Sequence, residues 1–298
     1  MDNPQNHHND TAVVESLARD TEHGAAYLSI RALEILRDRA QALAGEAPES
    51  AWEELRTLAR QLLEARPTMV VLQNRINRVM HACREAETAA SVEQEARRVI
   101  EQAAQADADA AQKAAGYIAG RRVFTLSRSG TVLAALRAAD LPPSVIIAAS
   151  EPGGEGVGEA EALAGEGFVV TLVADAAMAS VLTEAHVDVV LLGADTVLRT
   201  GAVVNKVGTH VAALAAKQQR IPVYIVAAAD KVSHADQVPL EQGAASVLYS
   251  GEALVEVLNP LFEVTPARFI SGIITEFGIL APDDMRDLAY EMKALAAW

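Results

Sequence analysis

The chain has 298 residues, a formal net charge of −15 at pH 7 and a single cysteine, Cys83. Half of it is apolar, enough for a sizeable core without staples, and one cysteine excludes both an internal disulfide and a thiolate metal site. The acidic balance excludes a bulk surface built to hold a nucleic-acid backbone, and no apolar run approaches the roughly 20 residues of a membrane-spanning helix.

Residues 1–10 are polar and lack the basic-then-apolar order of an export signal. They are expected to be disordered, with His7 and His8 solvated, and the protein is expected to be soluble and cytoplasmic. From residue 11 to 117 apolar residues recur at helical spacing, as in Leu28, Ala32 and Ile35, then Leu55, Leu58 and Leu62, then Val92, Ala96 and Val99. Gly45 and Pro48 separate the first helix from the second, and Pro67 is placed to open a third at its first turn. The alanine-rich stretch 101–115 reads as a helix joining two halves. Cys83, on one of these helices, reads as a small buried core residue.

After Gly120 the period changes. Short β-rich runs over 122–126, 145–149, 168–173, 187–192 and 223–226 alternate with helical patterns, which predicts a mostly parallel, doubly wound, Rossmann-like sheet. The chain therefore divides into a helical N-terminal domain, 1–117, and an α/β domain, 118–298. Ligands of such sheets bind beyond the carboxyl ends of the strands. That rule draws attention to Ser127, Glu151, Asp175, Asp195 and Asp230.

The most informative segment runs from Gly193 to His210. A buried strand delivers Asp195 to the rim, and ten residues later Asn205 and Lys206 precede a glycine and a threonine able to start a helix. A cation, free N–H groups at a helix start and a carboxylate suit a phosphorylated ligand whose hydroxyl exchanges a proton with Asp195. The plainer reading makes Asp195 a turn cap and Lys206 a surface charge. The glycine-rich run fails the dinucleotide fingerprint, because Glu159 stands where G-x-G-x-x-G needs its last glycine. No phosphate loop of the GK(S/T) type is present, and the histidines form no ligand pair. No cofactor and no metal are expected.

The block GADTVLRTGAVVNKVGT, 193–209, closely resembles a signature of the translation initiation factor 2B alpha/beta/delta family, which includes isomerases of ribose 1,5-bisphosphate and 5-methylthioribose 1-phosphate. NPLFEVTPARFISGIITEFGIL, 259–280, resembles the family's C-terminal block. Ala65-Arg66-Pro67-Thr68 and Gly24-Ala25-Ala26 are similar to two elements of its helical part, so the likeness spans about 20 to 280. The resemblance implies a homodimer or higher homo-oligomer and a pocket between the domains for a phosphorylated sugar or nucleoside monophosphate. It makes Asp195 and Ser127 the catalytic pair, and Gly24, Ala25, Arg66, Glu155, Asn205 and Lys206 the substrate-binding positions.

Three departures stand out. Ser127 occupies the place of the isomerases' cysteine, and a hydroxyl is a far poorer acid or base than a thiol. The run Ser150-Glu151-Pro152-Gly153-Gly154-Glu155-Gly156 lacks the isomerases' arginine and puts Glu155 where they carry glutamine, which repels phosphate at close range. His23 stands where the methylthioribose-type enzymes have arginine. Two readings follow: an isomerase-like protein, or a non-catalytic relative of the regulatory initiation-factor subunits. In the C-terminal block, Ile273 and Ile274 read as a buried amphipathic run suited to an oligomer contact, while Glu276 either closes the pocket or pairs with a neighbour.

Overall fold

The computed structural model describes residues 4–20 and 24–298, with side chains from Thr11 onward. The chain forms two compact units. The first takes the residues up to 105 together with 230–232 and 290–298. Its helices are α1 (Pro4–Arg19), α2 (Ala25–Ala42), α3 (Pro48–Ala65), α4 (Val70–Cys83) and the beginning of α5 (Ala89–Ile118). Pro48 sits in the first turn of α3, where its missing N–H costs nothing. Pro67 does not open α4. It lies in a turn in which Met69 N–H donates to the Arg66 carbonyl at 3.1 Å, and the helix starts at Val70.

The apolar positions read at helical spacing meet in one core that includes Leu28, Leu55, Leu62, Ile76 and Met80. Cys83 is buried in it, and burial pushes its thiol pKa up. The chain end returns to the same unit: Trp298 Nε1 donates to Asn77 Oδ1 at 2.9 Å. The expected disorder of residues 1–10 falls partly outside the described residues, since 1–3 are not described and only the backbone of 4–10 is.

The second unit takes residues 106–229 and 233–289. The alanine-rich stretch expected to join the halves belongs to α5, which continues to Ile118 and packs its alanines into the second core. Strands β1 (Arg122–Leu126), β2 (Ser144–Ala148), β3 (Val170–Val173), β4 (Val189–Gly193), β7 (Val223–Val226) and β9 (Gly272–Thr275) run parallel, with β10 (Gly278–Leu280) antiparallel on one edge. The order is β10-β9-β7-β4-β1-β2-β3. Successive strands step outward one way from β1 and the other way from β4, so the topological switch point lies between these two. The α/β architecture is thus the one the alternating runs predict.

Three further strands form a small antiparallel sheet in the order β5 (Thr196–Val197), β6 (Val203–Lys206), β8 (Phe262–Thr265). The β-rich runs predicted from the sequence do not include β5, β6, β8, β9 or β10. Ile273 and Ile274 are fully buried within β9, between β7 and β10. Their side chains are core of the second unit and are not available for an oligomer contact.

Candidate functional site

At the switch point, β1 ends at Leu126 and Ser127 adopts a left-handed conformation, φ +57°. The bend turns the chain into α6 (Gly130–Ala138), with Ser129 as N-cap accepting from Val132 N–H at 3.4 Å. Ser127 N–H donates to Ser150 Oγ at 2.6 Å. Beside it, β4 ends in Gly193, where a Cβ would come within 2.5 Å of Ser129 Oγ. Glycine at this point lets the two turns approach each other. Two residues on, Asp195 is half-buried, and its N–H donates to the Val204 carbonyl at 3.0 Å, tying it to β6.

Strand β6 carries Asn205 and Lys206, each only 8% exposed. Asn205 Nδ2 donates to Thr209 Oγ1 at 3.0 Å, and that hydroxyl donates to the Lys206 carbonyl at 2.7 Å. Gly208, at φ +103°, reverses the chain into α9 (Thr209–Gln218). The free N–H groups expected at this helix start are not free. Glu263 Oε1, delivered by β8, accepts from Gly208 N–H at 2.7 Å and from His210 N–H at 2.8 Å. Lys206 is not a surface charge either: its ammonium pairs with Glu155 Oε1 at 2.5 Å.

The turn after β2 presents Glu155. Ser150, buried and at φ +65°, donates its N–H to Asp175 Oδ1 at 2.8 Å, and Glu151 N–H donates to Oδ2 of the same carboxylate at 2.7 Å. Gly154, left-handed at φ +68°, caps α7 (Glu155–Gly165), of which Glu155 is the first residue. Gly156 has the Ala148 carbonyl oxygen 1.8 Å from where a Cβ would sit, so only glycine fits this return to β2. The second carboxylate oxygen of Glu155, Oε2, is buried and has no hydrogen-bond partner. One helical turn on, burial raises the Glu159 carboxyl pKa, opposed by the charges of Arg128 and Arg137. Next to these elements a cavity of about 340 Å³ is lined by Glu151, Pro152, Val207, Leu258 and Asn259.

The structure thus brings Ser127, Glu155, Asp195, Asn205 and Lys206 to the carboxyl ends of β1, β2, β4 and the adjoining β6. The remaining predicted positions belong to the first unit. Gly24 is the extended N-cap of α2, its carbonyl accepting from Leu28 N–H at 3.1 Å, and Ala25 is the first helical residue. Arg66 donates Nε to the Leu17 carbonyl at 3.1 Å and a terminal nitrogen to the Asp20 carbonyl. His23 lies outside the described residues. Asp230, in the turn that follows β7, pairs with Arg75 of α4 at 2.5 Å, within the first unit.

Sequence reading missed two residues and the role of a third. Glu263 and its capping role lie inside the C-terminal block, where the sequence singles out only Ile273, Ile274 and Glu276. Lys231, only 7% exposed in the turn that follows β7, was overlooked although the strand-end rule selected its neighbour Asp230. Asp175 was placed on the rim, but its anchoring of the β2 turn was not foreseen. Glu276, left undecided, accepts from Ala229 N–H at 2.9 Å and so braces the turn after β7. Among the described residues no group of three or more His, Cys, Asp or Glu side chains is placed to hold a metal ion, and no helix is long and apolar enough to cross a membrane.

The sequence that carries these blocks aligns with the initiation factor 2 subunit family over residues 21–282. The chain belongs to the initiation factor 2 subunit family. Within it, the chain is 35% identical to the ribose 1,5-bisphosphate isomerase of Archaeoglobus fulgidus over 278 residues, covering 87% of this chain and 86% of that protein. It is 30% identical to the methylthioribose-1-phosphate isomerase of Citrobacter koseri, covering 81% and 79%. The crystal structure of Pyrococcus horikoshii translation initiation factor eIF-2B superposes with a TM-score of 0.79 at 28% identity, over 94% of this chain and 98% of that one. This family member is therefore similar both to sugar-phosphate isomerases and to an initiation factor.

Proposed function

We propose that this family member binds a phosphorylated sugar at the carboxyl rim of its sheet and interconverts aldose and ketose forms, with Asp195 as the proton-transferring base. The observation that carries this reading is the half-buried Asp195, joined by its own N–H to the strand that bears Asn205 and Lys206. In the proposed step the sugar ring opens as its ring oxygen takes a proton, and the carboxylate removes the proton from C2 to leave an enol of the 1-phosphate. That proton is returned to C1 while the C2 hydroxyl releases its own, replacing the one the ring oxygen took and leaving the ketone. Nothing is oxidised or reduced by an outside partner. Lys206 supplies the cation for phosphate, and Asn205, held by Thr209, lines the site. Ser127 contributes a positioned hydroxyl in place of a thiol. The full-length likeness to a ribose 1,5-bisphosphate isomerase supports the substrate class.

The deciding assay follows ketose formation from ribose 1,5-bisphosphate and from 5-methylthioribose 1-phosphate, with Asp195→Asn beside the unaltered chain. Turnover on one of the two is expected, falling about 100-fold or more in the variant, the lower range for a lost general base. A second reading is favoured by Ser127 and by the neutralisation of Lys206: a non-catalytic protein that binds a phosphorylated sugar or nucleoside monophosphate as an effector within a homo-oligomer. Binding without turnover in the unaltered chain would select it.

A further inference from the structure

We infer that Glu155 sets which anions this site admits: it is an internal carboxylate ligand of Lys206, and a ligand's phosphate reaches the lysine only by displacing it. The inference rests on the phosphate reading of Lys206 made above. Three carboxylates occupy the donors around the rim, and they are held unequally. Asp175 accepts backbone N–H groups through both oxygens, from Ser150 and Glu151. Glu263 Oε1 accepts two backbone N–H groups, from Gly208 and His210. Glu155 has its ion pair with Lys206 and no hydrogen bond to its other oxygen. A buried carboxylate oxygen without a partner is under-satisfied, whereas the two doubly bonded carboxylates match their donors.

Glu155 also has somewhere to go. Its side chain is 35% exposed against 10% for Lys206, so it can turn outward to water while the ammonium stays in place. Gly153 lies under the carboxylate, where a Cβ would stand only 2.5 Å from Oε1 and 2.8 Å from Oε2. The glycine leaves the room in which the carboxylate folds back onto the lysine. An arriving phosphate monoester carries up to two negative charges and three acceptor oxygens, and so outcompetes a single carboxylate at the same cation. A ligand carboxylate has no such advantage over Glu155. The site therefore selects sugar phosphates and turns away sugar acids, at the cost of weaker phosphate binding than a free lysine would give.

Calorimetric titration of the full chain with inorganic phosphate, ribose 1,5-bisphosphate and ribonate tests this, using Glu155→Gln, Lys206→Met and the double variant. Glu155→Gln is expected to tighten inorganic phosphate about tenfold, the scale of one charge-assisted hydrogen bond, and to gain measurable ribonate binding. The double variant should lose that gain. Gly153→Ala, whose methyl group pushes the carboxylate off the lysine without removing it, should shift affinity in the same direction and carries the test if Glu155→Gln does not fold. If both variants bind phosphate no more tightly than the unaltered chain, Glu155 is not a competitor, and the phosphate reading stands provided Lys206→Met still weakens the bisphosphate. If Lys206→Met binds the bisphosphate as tightly as the unaltered chain, or no phosphate compound binds any of them, the phosphate reading falls and this inference with it.

Discussion

Two largely buried ion pairs, one in each unit, have the same 2.5 Å separation and opposite characters. Arg75 is 1% exposed and Asp230 12%; the guanidinium also donates to Ser29 Oγ at 2.8 Å, and neighbouring Asn74 holds the carbonyls of Asp230 and Val232 at 2.8 and 2.9 Å. The ion pair and both Asn74 bonds fasten the 230–232 segment to α4, and the Ser29 bond ties the same arginine to α2. Lys206 and Glu155 share one contact and the acid is a third exposed; Glu155 Oε2 and Asp230 Oδ1 alike lack a hydrogen-bond partner, so the second oxygen does not tell the pairs apart. Distance alone does not separate a fastening from a releasable pair. What separates them is how many other bonds break when the pair does, and whether water can take over from the partner.

The sharpest way to break the comparison is Arg75→Met. It leaves the Asp230 carboxylate buried without its cation and should lower the stability of the full chain by about 3–5 kcal/mol, the usual cost of removing one partner from a buried pair, read by urea unfolding. Lys206→Met, measured the same way, is expected to cost no more than about 1 kcal/mol, since the carboxylate left behind, Glu155, is a third exposed and turns to water. Equal losses would show that the two pairs do the same job.

Intermediate in size is Glu263→Ala. It frees the Gly208 and His210 N–H groups and should cost about 1 kcal/mol, as for loss of a helix cap, with faster amide exchange at the start of α9. An unchanged exchange rate there would mean that the carboxylate is not what protects these amides.

Glu159 gives the smallest effect and a sign that can be checked. Burial raises its carboxyl pKa in the folded chain above the ordinary value, so the folded state binds the proton more tightly than the unfolded one. Its contribution to instability is absent below the unfolded pKa and grows as pH rises through the raised folded value. Glu159→Gln should therefore stabilise the chain at neutral pH and leave it unchanged in acid, as followed by thermal unfolding across that range. A destabilised variant at neutral pH would mean that the nearby Arg128 and Arg137 charges outweigh the burial.

The central sheet could be read from the chain because parallel strands covered on both faces are short, nearly continuous apolar runs; 122–126 and 223–226 match β1 and β7 residue for residue. Strands β6 and β8 could not. Asn205 and Lys206 are polar, and the strand they occupy exists because Val203–Lys206 pairs with Phe262–Thr265 far along the chain. The same pairing brings Glu263 to the start of α9. A local pattern carries no mark of a partner some sixty residues away, so the helix start looked open to a ligand when a carboxylate of the chain already fills it.

The sequence by itself determined the family, the helical and α/β halves and the identity of the acids and bases at the strand ends, because those rest on periodicity and on short ordered motifs. Only the tertiary structure decided which charges meet. Lys206 faces Glu155, and Asp230 faces Arg75, because the turns after β2 and β7 deliver them there. Whether a lysine is a phosphate cation or half of an ion pair depends on separations of a few ångströms, which are set by the packing of whole elements against one another.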